Sequence, residues 1–195
     1  MIEDLPLAEP TSSEWSGVAL SDLDALLNDH AHCELKAAST AMGIAGRSVS
    51  RSSLVRDMTV LAHEEIRHFE RVHVLVLQRG RVLRPVERDP YVVHLRREVL
   101  GSMKGFPKII DQLILCAFIE ARSCERFRIL AKADLPDELS GFYRELAAAE
   151  AKHHELFLRH AEEMGGEESI SPRVAEIAEV ESSIVRRLPL APRIH

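Results

Sequence analysis

The sequence predicts an all-α fold: a four-helix bundle with additional short helices. Two observations carry that expectation. Apolar residues recur at helical spacing along four long stretches, while no stretch alternates as a strand would. Ala, Leu, Glu and Arg dominate and aromatic residues make up only 5%, a balance that favours helix. With 195 residues and 46% apolar content the chain can bury one core, so residues 1–195 are expected to form a single domain.

Residues 1–20 read as an irregular leader. Ser21, with Asp24 three positions on, opens a first long helix whose stripe runs through Leu26, Leu27, His30, Cys33, Glu34, Ala38 and Ala41, and which ends near Gly43 or Gly46. A second, from about Ser53 to Gln78, carries Met58, Leu61, Ala62, Glu65, His68 and Val72 on one face, and Arg79-Gly80 closes it. Residues 79–106 form a basic connection in which Asp89-Pro90 opens a shorter helix to about Leu100. Pro107 starts a long helix to about Lys132 with Leu113, Cys116, Glu120 and Phe127 in its stripe. Leu135-Pro136 leads into a fourth, to about Met164, with Leu146, Glu150, His153 and Phe157. Ser171-Pro172 opens a final amphipathic helix within the C-terminal segment 171–195.

The functional signal is a repeat. Glu34 lies 31 residues before Glu65 of Glu65-Ile-Arg-His68, and Glu120 lies 30 before Glu150 of Glu150-Ala-Lys-His153. Each Glu and each His falls inside an apolar stripe, where a carboxylate is costly unless it binds something. At i, i+3 the Glu and His share one helix face and can reach one ion. Counted from the turns, all four glutamates fall at similar depth along two antiparallel hairpins. Four carboxylates and two imidazoles are the ligand inventory of a di-iron carboxylate bundle, and four negative charges balance two divalent ions. This oxygen and nitrogen set suits iron or manganese better than thiolate zinc.

A third match, Glu70-Arg-Val-His73, is rotated off the stripe and has no partner glutamate, so it reads as a solvated face. Glu125 lies off the Glu120 stripe and reads as a salt-bridge partner, and His63 and His154 point elsewhere. Asp29 and His30, one turn before Glu34, are placed to orient ligands.

Three cysteines, Cys33, Cys116 and Cys124, are an odd number inside predicted helices, which suits a reduced, cytoplasmic compartment. The acidic start Met1-Ile-Glu-Asp is not that of a signal peptide, and the most apolar stretch, Ile109 to Ile119, is too short to span a membrane. The net charge of −6 is unevenly spread. Between Arg71 and Lys108 nine Lys/Arg face three acids. Within this segment Arg79, Arg81, Arg84, Arg88, Arg96, Arg97, Lys104 and Lys108 are the candidate RNA contacts, because basic side chains make sequence-tolerant phosphate contacts.

The segments Asp29-His-Ala-His-Cys-Glu-Leu-Lys-Ala-Ala38, Glu64-Glu-Ile-Arg-His-Phe-Glu70, Phe118-Ile-Glu-Ala-Arg-Ser-Cys-Glu-Arg-Phe127 and Glu150-Ala-Lys-His-His154 resemble the bacterial tRNA hydroxylases of the ferritin-like superfamily. The likeness runs from about Leu26 to Gly165, with an echo in Arg193-Ile-His195, and departs at Lys152 and His154. The resemblance implies hydroxylation of the isopentenyl group of 2-methylthio-isopentenyladenosine beside the tRNA anticodon. It also implies two iron ions held by Glu34, Glu65, His68, Glu120, Glu150 and His153, with O2 as co-substrate. The chain has no flavin or nicotinamide fingerprint and no cysteine-rich cluster motif, so a separate, ferredoxin-type donor is expected to supply electrons. The competing readings on the same scaffold are a di-iron or di-manganese peroxidase or catalase, and an iron-storage protein.

Overall fold

A computed structural model describes residues 5–85, 88–101 and 107–195, with the side chains of 167–169 outside the description. Among the described residues there are seven α-helices and no strand. They are α1 (Trp15–Ser21), α2 (Leu23–Arg47), α3 (Ser52–Gln78), α4 (Pro90–Gly101), α5 (Lys108–Leu130), α6 (Asp137–Gly165) and α7 (Glu167–Arg187).

The chain packs as two compact units. One comprises residues 17–87 and 191–194, and its body is the antiparallel pair α2 and α3. Asp22, rather than Ser21, caps α2: its Oδ1 accepts the N–H of Ala25 at 2.9 Å. The helix runs through Gly43 and Gly46 to Arg47, one residue past the second of the two glycines expected to end it, and Ser48 closes it with its N–H on the carbonyl of Ala45. On α3 the buried side chains are Leu54, Met58, Leu61, Ala62, Glu65, His68, Val72 and Val76, a stripe at the period the sequence shows. Gly80 ends the helix at φ +68°, a left-handed conformation that glycine adopts without steric cost.

The other unit comprises residues 1–16, 88–190 and 195, and contains α4 to α7. Here α5 and α6 form the main pair, with α4 and α7 packed around them. α5 is buried on nearly every side from Ile110 to Phe127, as expected of a helix surrounded by neighbours. The helices begin where proline predicts, after Pro107 for α5 and after Pro136 for α6.

Two differences from the sequence reading stand out. The leader is not irregular throughout: its last third belongs to α1, and Leu5, Leu7 and Trp15 are buried. α7 begins at Glu167 and continues through Pro172, earlier than Ser171. Pro172 is the sixth residue of α7, past the four N–H groups that a helix start leaves unbonded, so the helix forgoes one backbone hydrogen bond there.

A buried ionic network ties the leader and α7 to α5. The Arg122 guanidinium donates to Thr11 Oγ1 at 3.1 Å, to the Glu9 carbonyl at 2.9 Å, to Glu125 at 2.5 Å and to Glu181 at 2.8–2.9 Å. Tyr91 of α4 donates its hydroxyl to Glu181 at 3.0 Å. Arg126 lies 4.9 Å from the centre of the Trp15 ring, a cation–π distance. A second buried pair, Arg173 with Asp111, joins α7 to α5 through two contacts of 2.9 Å.

Candidate metal centre

The α2–α3 pair buries one group of ligand-type side chains. Glu34 on α2 and Glu65 and His68 on α3 are each no more than 9% exposed, and their donor atoms lie within 4.8 Å of one another. His68 turns Nδ1 toward both carboxylates, 3.3 Å from Glu65 Oε2 and 3.6 Å from Glu34 Oε2. The other Glu34 oxygen, Oε1, accepts a hydrogen bond from Nε2 of the fully buried His30 at 2.7 Å. That contact fixes the carboxylate and leaves Oε2 facing His68. Asp29 accepts the N–H of Ile194 at 2.8 Å and lies 3.7 Å from the Cys33 thiol. Of the two residues expected to orient ligands, His30 does so by direct contact with Glu34.

The α5–α6 pair repeats the arrangement. Glu120 on α5 and Glu150 and His153 on α6 are buried, with donor atoms again within 4.8 Å. His153 Nδ1 lies 2.9 Å from Glu150 Oε2, one helical turn away. Cys124, on the same helix as Glu120, contacts the Ala147 carbonyl at 3.2 Å, and burial pushes its thiol up to about 11. It is a packed core residue rather than a thiolate.

Each group therefore offers two carboxylates and one imidazole nitrogen in a site nearly closed to solvent. Carboxylates packed this closely repel, and burial deprives them of water. A divalent cation relieves both penalties, and hard oxygen donors with imidazole match iron or manganese. Each donor set fits a divalent metal ion.

The neighbouring motif residues separate from these groups. Glu70 and His63 are exposed, and His73 stacks on Phe69 at 5.7 Å. Glu125 pairs with Arg122, the salt-bridge role expected of it. The sequence reading missed Arg122 and Glu181, whose carboxyl burial pushes above the usual range. Arg122 and Glu125 at i, i+3, opposite charges on one helix face, were the available signal.

Of the basic candidates, Arg79 and Arg81 both bind Asp24, each at 2.6 Å. Arg97 contacts His94 at 2.8 Å and Glu98 at 3.3 Å. Arg84, Arg88, Arg96 and Lys108 are exposed, and Lys104 lies outside the described residues. No helix among the described residues is long and apolar enough to cross a membrane.

The fold and the donor sets define a ferritin-like protein with buried carboxylate–histidine clusters. The chain matches a solved structure, Protein 43 with aldehyde deformylating oxygenase activity from Synechococcus, at a TM-score of 0.89 and 35% identity, covering 97% of this chain and 94% of that one. Residues 3–195 match the family described as tRNA-(MS2IO6A)-hydroxylase (MiaE), and the chain belongs to that family. A relative from Pseudomonas putida, named tRNA 2-(methylsulfanyl)-N(6)-isopentenyladenosine(37) hydroxylase, is 38% identical over 98% of this chain and 92% of its own length. A Salmonella typhimurium protein of the same name is 29% identical over 90% of this chain and 82% of its own.

Proposed function

We propose that this chain hydroxylates the isopentenyl group of 2-methylthio-isopentenyladenosine next to the tRNA anticodon, as a di-iron monooxygenase of the cytoplasm. The observation that carries the reading is the match along residues 3–195 to a family of that activity. Glu34, Glu65, His68, Glu120, Glu150 and His153 are proposed to hold two iron ions. Bound iron would supply the activation of O2 that an unreactive C–H bond requires.

The chain's own residues hold and shield this chemistry. His30 fixes Glu34 through Oε1 and thereby sets which oxygen faces a metal. His68 and His153 present Nδ1 toward the glutamate one turn before, so that nitrogen is the donor each would offer. Apolar neighbours on the same helices, among them Leu27, Leu61, Ala117 and Phe157, keep water from the buried carboxylates. Hydroxylation by O2 places one oxygen in product and one in water, consuming two electrons and two protons. With no cofactor fingerprint in the sequence, the electrons are assigned to an external ferredoxin-type donor. Arg79, Arg81, Arg84, Arg88, Arg96, Arg97, Lys104 and Lys108 remain the proposed RNA contacts.

The test is turnover of a prenylated anticodon stem-loop by the iron-loaded chain under labelled oxygen gas with a reductant, read by nucleoside mass spectrometry. One labelled oxygen atom in the side chain is the expected product. An unlabelled nucleoside together with rapid peroxide decomposition would replace the hydroxylase reading with the peroxidase or catalase one.

A further inference from the structure

Within the α2–α3 unit a cavity of about 250 Å3 is lined by α2, the segment after α3 and residues 191–193. Three cations face it, one from each wall: Lys36, Arg84 and Arg193. Among the described residues of the lining Asp29 is the one acid, so three cations meet a single carboxylate, which also accepts the N–H of Ile194 at 2.8 Å. None of these residues is a ligand candidate.

The walls are held by backbone contacts. The N–H of Arg84 donates to Asn28 Oδ1 at 2.7 Å, and its carbonyl lies 2.8 Å from His32 Nε2. Asp29, on the next residue of α2, secures the 191–194 segment. Polar side chains from one turn of α2 thus bring Arg84 and Arg193 to the same cavity.

A second cavity of about 370 Å3 in the same unit also includes Arg84, but there Asp22 and Asp24 balance Arg81 and Arg84. Of these two cavities, the cationic excess belongs to the first. Like charges gathered around a small volume repel, and an anion between them removes that cost. Planar guanidinium groups match phosphate oxygens through paired hydrogen bonds, and lysine adds a point charge.

We propose that Lys36, Arg84 and Arg193 form a subsite for a backbone phosphate of the RNA substrate. This rests on the hydroxylase reading above and extends the contact surface beyond the basic 71–108 segment, to α2 and the C-terminal residues. A concave site of this volume suits an inserted phosphodiester better than the flat carboxylate patch of an acidic electron carrier.

The experiment compares the wild-type chain with the triple variant Lys36→Gln/Arg84→Gln/Arg193→Gln, and with each single variant should the triple lose its thermal midpoint. Binding to a prenylated anticodon stem-loop is measured across a salt series. A second RNA set replaces the phosphates near the adenosine, one at a time, by neutral methylphosphonates. The triple variant is expected to bind about ten- to a hundredfold more weakly, the range for lost charge-assisted contacts. Its salt slope should fall by about one. One methylphosphonate position should weaken the wild type and leave the variant unaffected, and Arg84→Lys, which keeps the charge without the paired hydrogen bonds, should recover part of the affinity that Arg84→Gln loses. Equal affinity and slope in wild type and variant, with the wild type still hydroxylating the RNA, would overturn the subsite alone. A wild type that neither hydroxylates nor prefers prenylated RNA would instead overturn the hydroxylase reading. Unchanged RNA binding with slowed ferredoxin-supported turnover would reassign the cations to docking the electron carrier.

Discussion

Arg122 and Glu181 form a two-point ion pair in which neither side chain is exposed to solvent: Nε and Nη2 of the guanidinium reach the two carboxylate oxygens at 2.9 and 2.8 Å. A buried pair of this kind is weak evidence for net stability, but breaking it is costly because one charge stays behind. Replacing Glu181→Leu should destabilise the fold by about 3 kcal/mol, near the low end of the usual cost, because Glu125 still contacts Arg122. Arg122→Met combined with Glu181→Leu and Glu125→Gln, which leaves no member of the charged trio behind, should recover most of that loss. Chemical denaturation of both variants decides it, and a triple variant worse than the single would refute the argument.

The buried glutamates predict opposite effects with and without metal. In the metal-free chain, Glu65→Gln removes a charge from a site only 1% exposed, and should leave stability equal or raise it. The same substitution should lower the iron content per chain and abolish the rise in melting temperature that iron gives the wild type. Metal analysis and thermal melts, each before and after chelation, test both halves. A metal-free variant destabilised by several kcal/mol would show that Glu65 has a structural role instead.

His30 acts on Glu34 rather than on substrate. His30→Ala should weaken iron binding about 10- to 100-fold, the usual cost of losing a residue that orients a ligand. His30→Gln should recover part of it, since an amide N–H can still reach Oε1. Competition with a calibrated chelator gives the affinities. Equal affinity in wild type and His30→Ala would remove His30 from the site.

Asp24 joins α2 to the turn after α3 through Arg79 and Arg81, whose hydrogen bonds hold its carboxyl below the usual value of 3.8. A depressed folded-state value means that the stabilisation is present above the unfolded value and fades as pH falls below it. The wild type should therefore be more stable than Asp24→Asn near neutral pH. That gap should narrow below pH 3.8 and shrink at high salt, because the pair is partly solvent-exposed. Urea denaturation as a function of pH and salt measures the gap directly.

The ligand candidates were legible because charge inside an apolar stripe is anomalous at helical period, and Glu34, Glu65, Glu120 and Glu150 all show it. Helix starts at Pro107 and Pro136 were legible for a local reason, the fixed proline backbone. The partners of Arg122 were not: Glu181 lies 59 residues away and Thr11 lies 111 away, and no spacing rule connects them. The buried leader was hidden because Leu5, Leu7 and Thr11 fall on alternate positions of a short stretch interrupted by Pro6 and Pro10, not on the helical period that marks the other elements. The pairing of Arg79 and Arg81 with Asp24 was equally invisible, since charge counting along a segment takes no account of acids brought in from elsewhere.

Position 84 is fixed by its peptide groups, through Asn28 and His32, rather than by its side chain. Its route through space is therefore independent of what it carries. Any residue except proline, which has no N–H to give Asn28, can occupy the same track. Exchanging the side chain would alter what the cavity recognises while leaving its walls in place, which makes this a site where selectivity can be retuned without redesigning the scaffold.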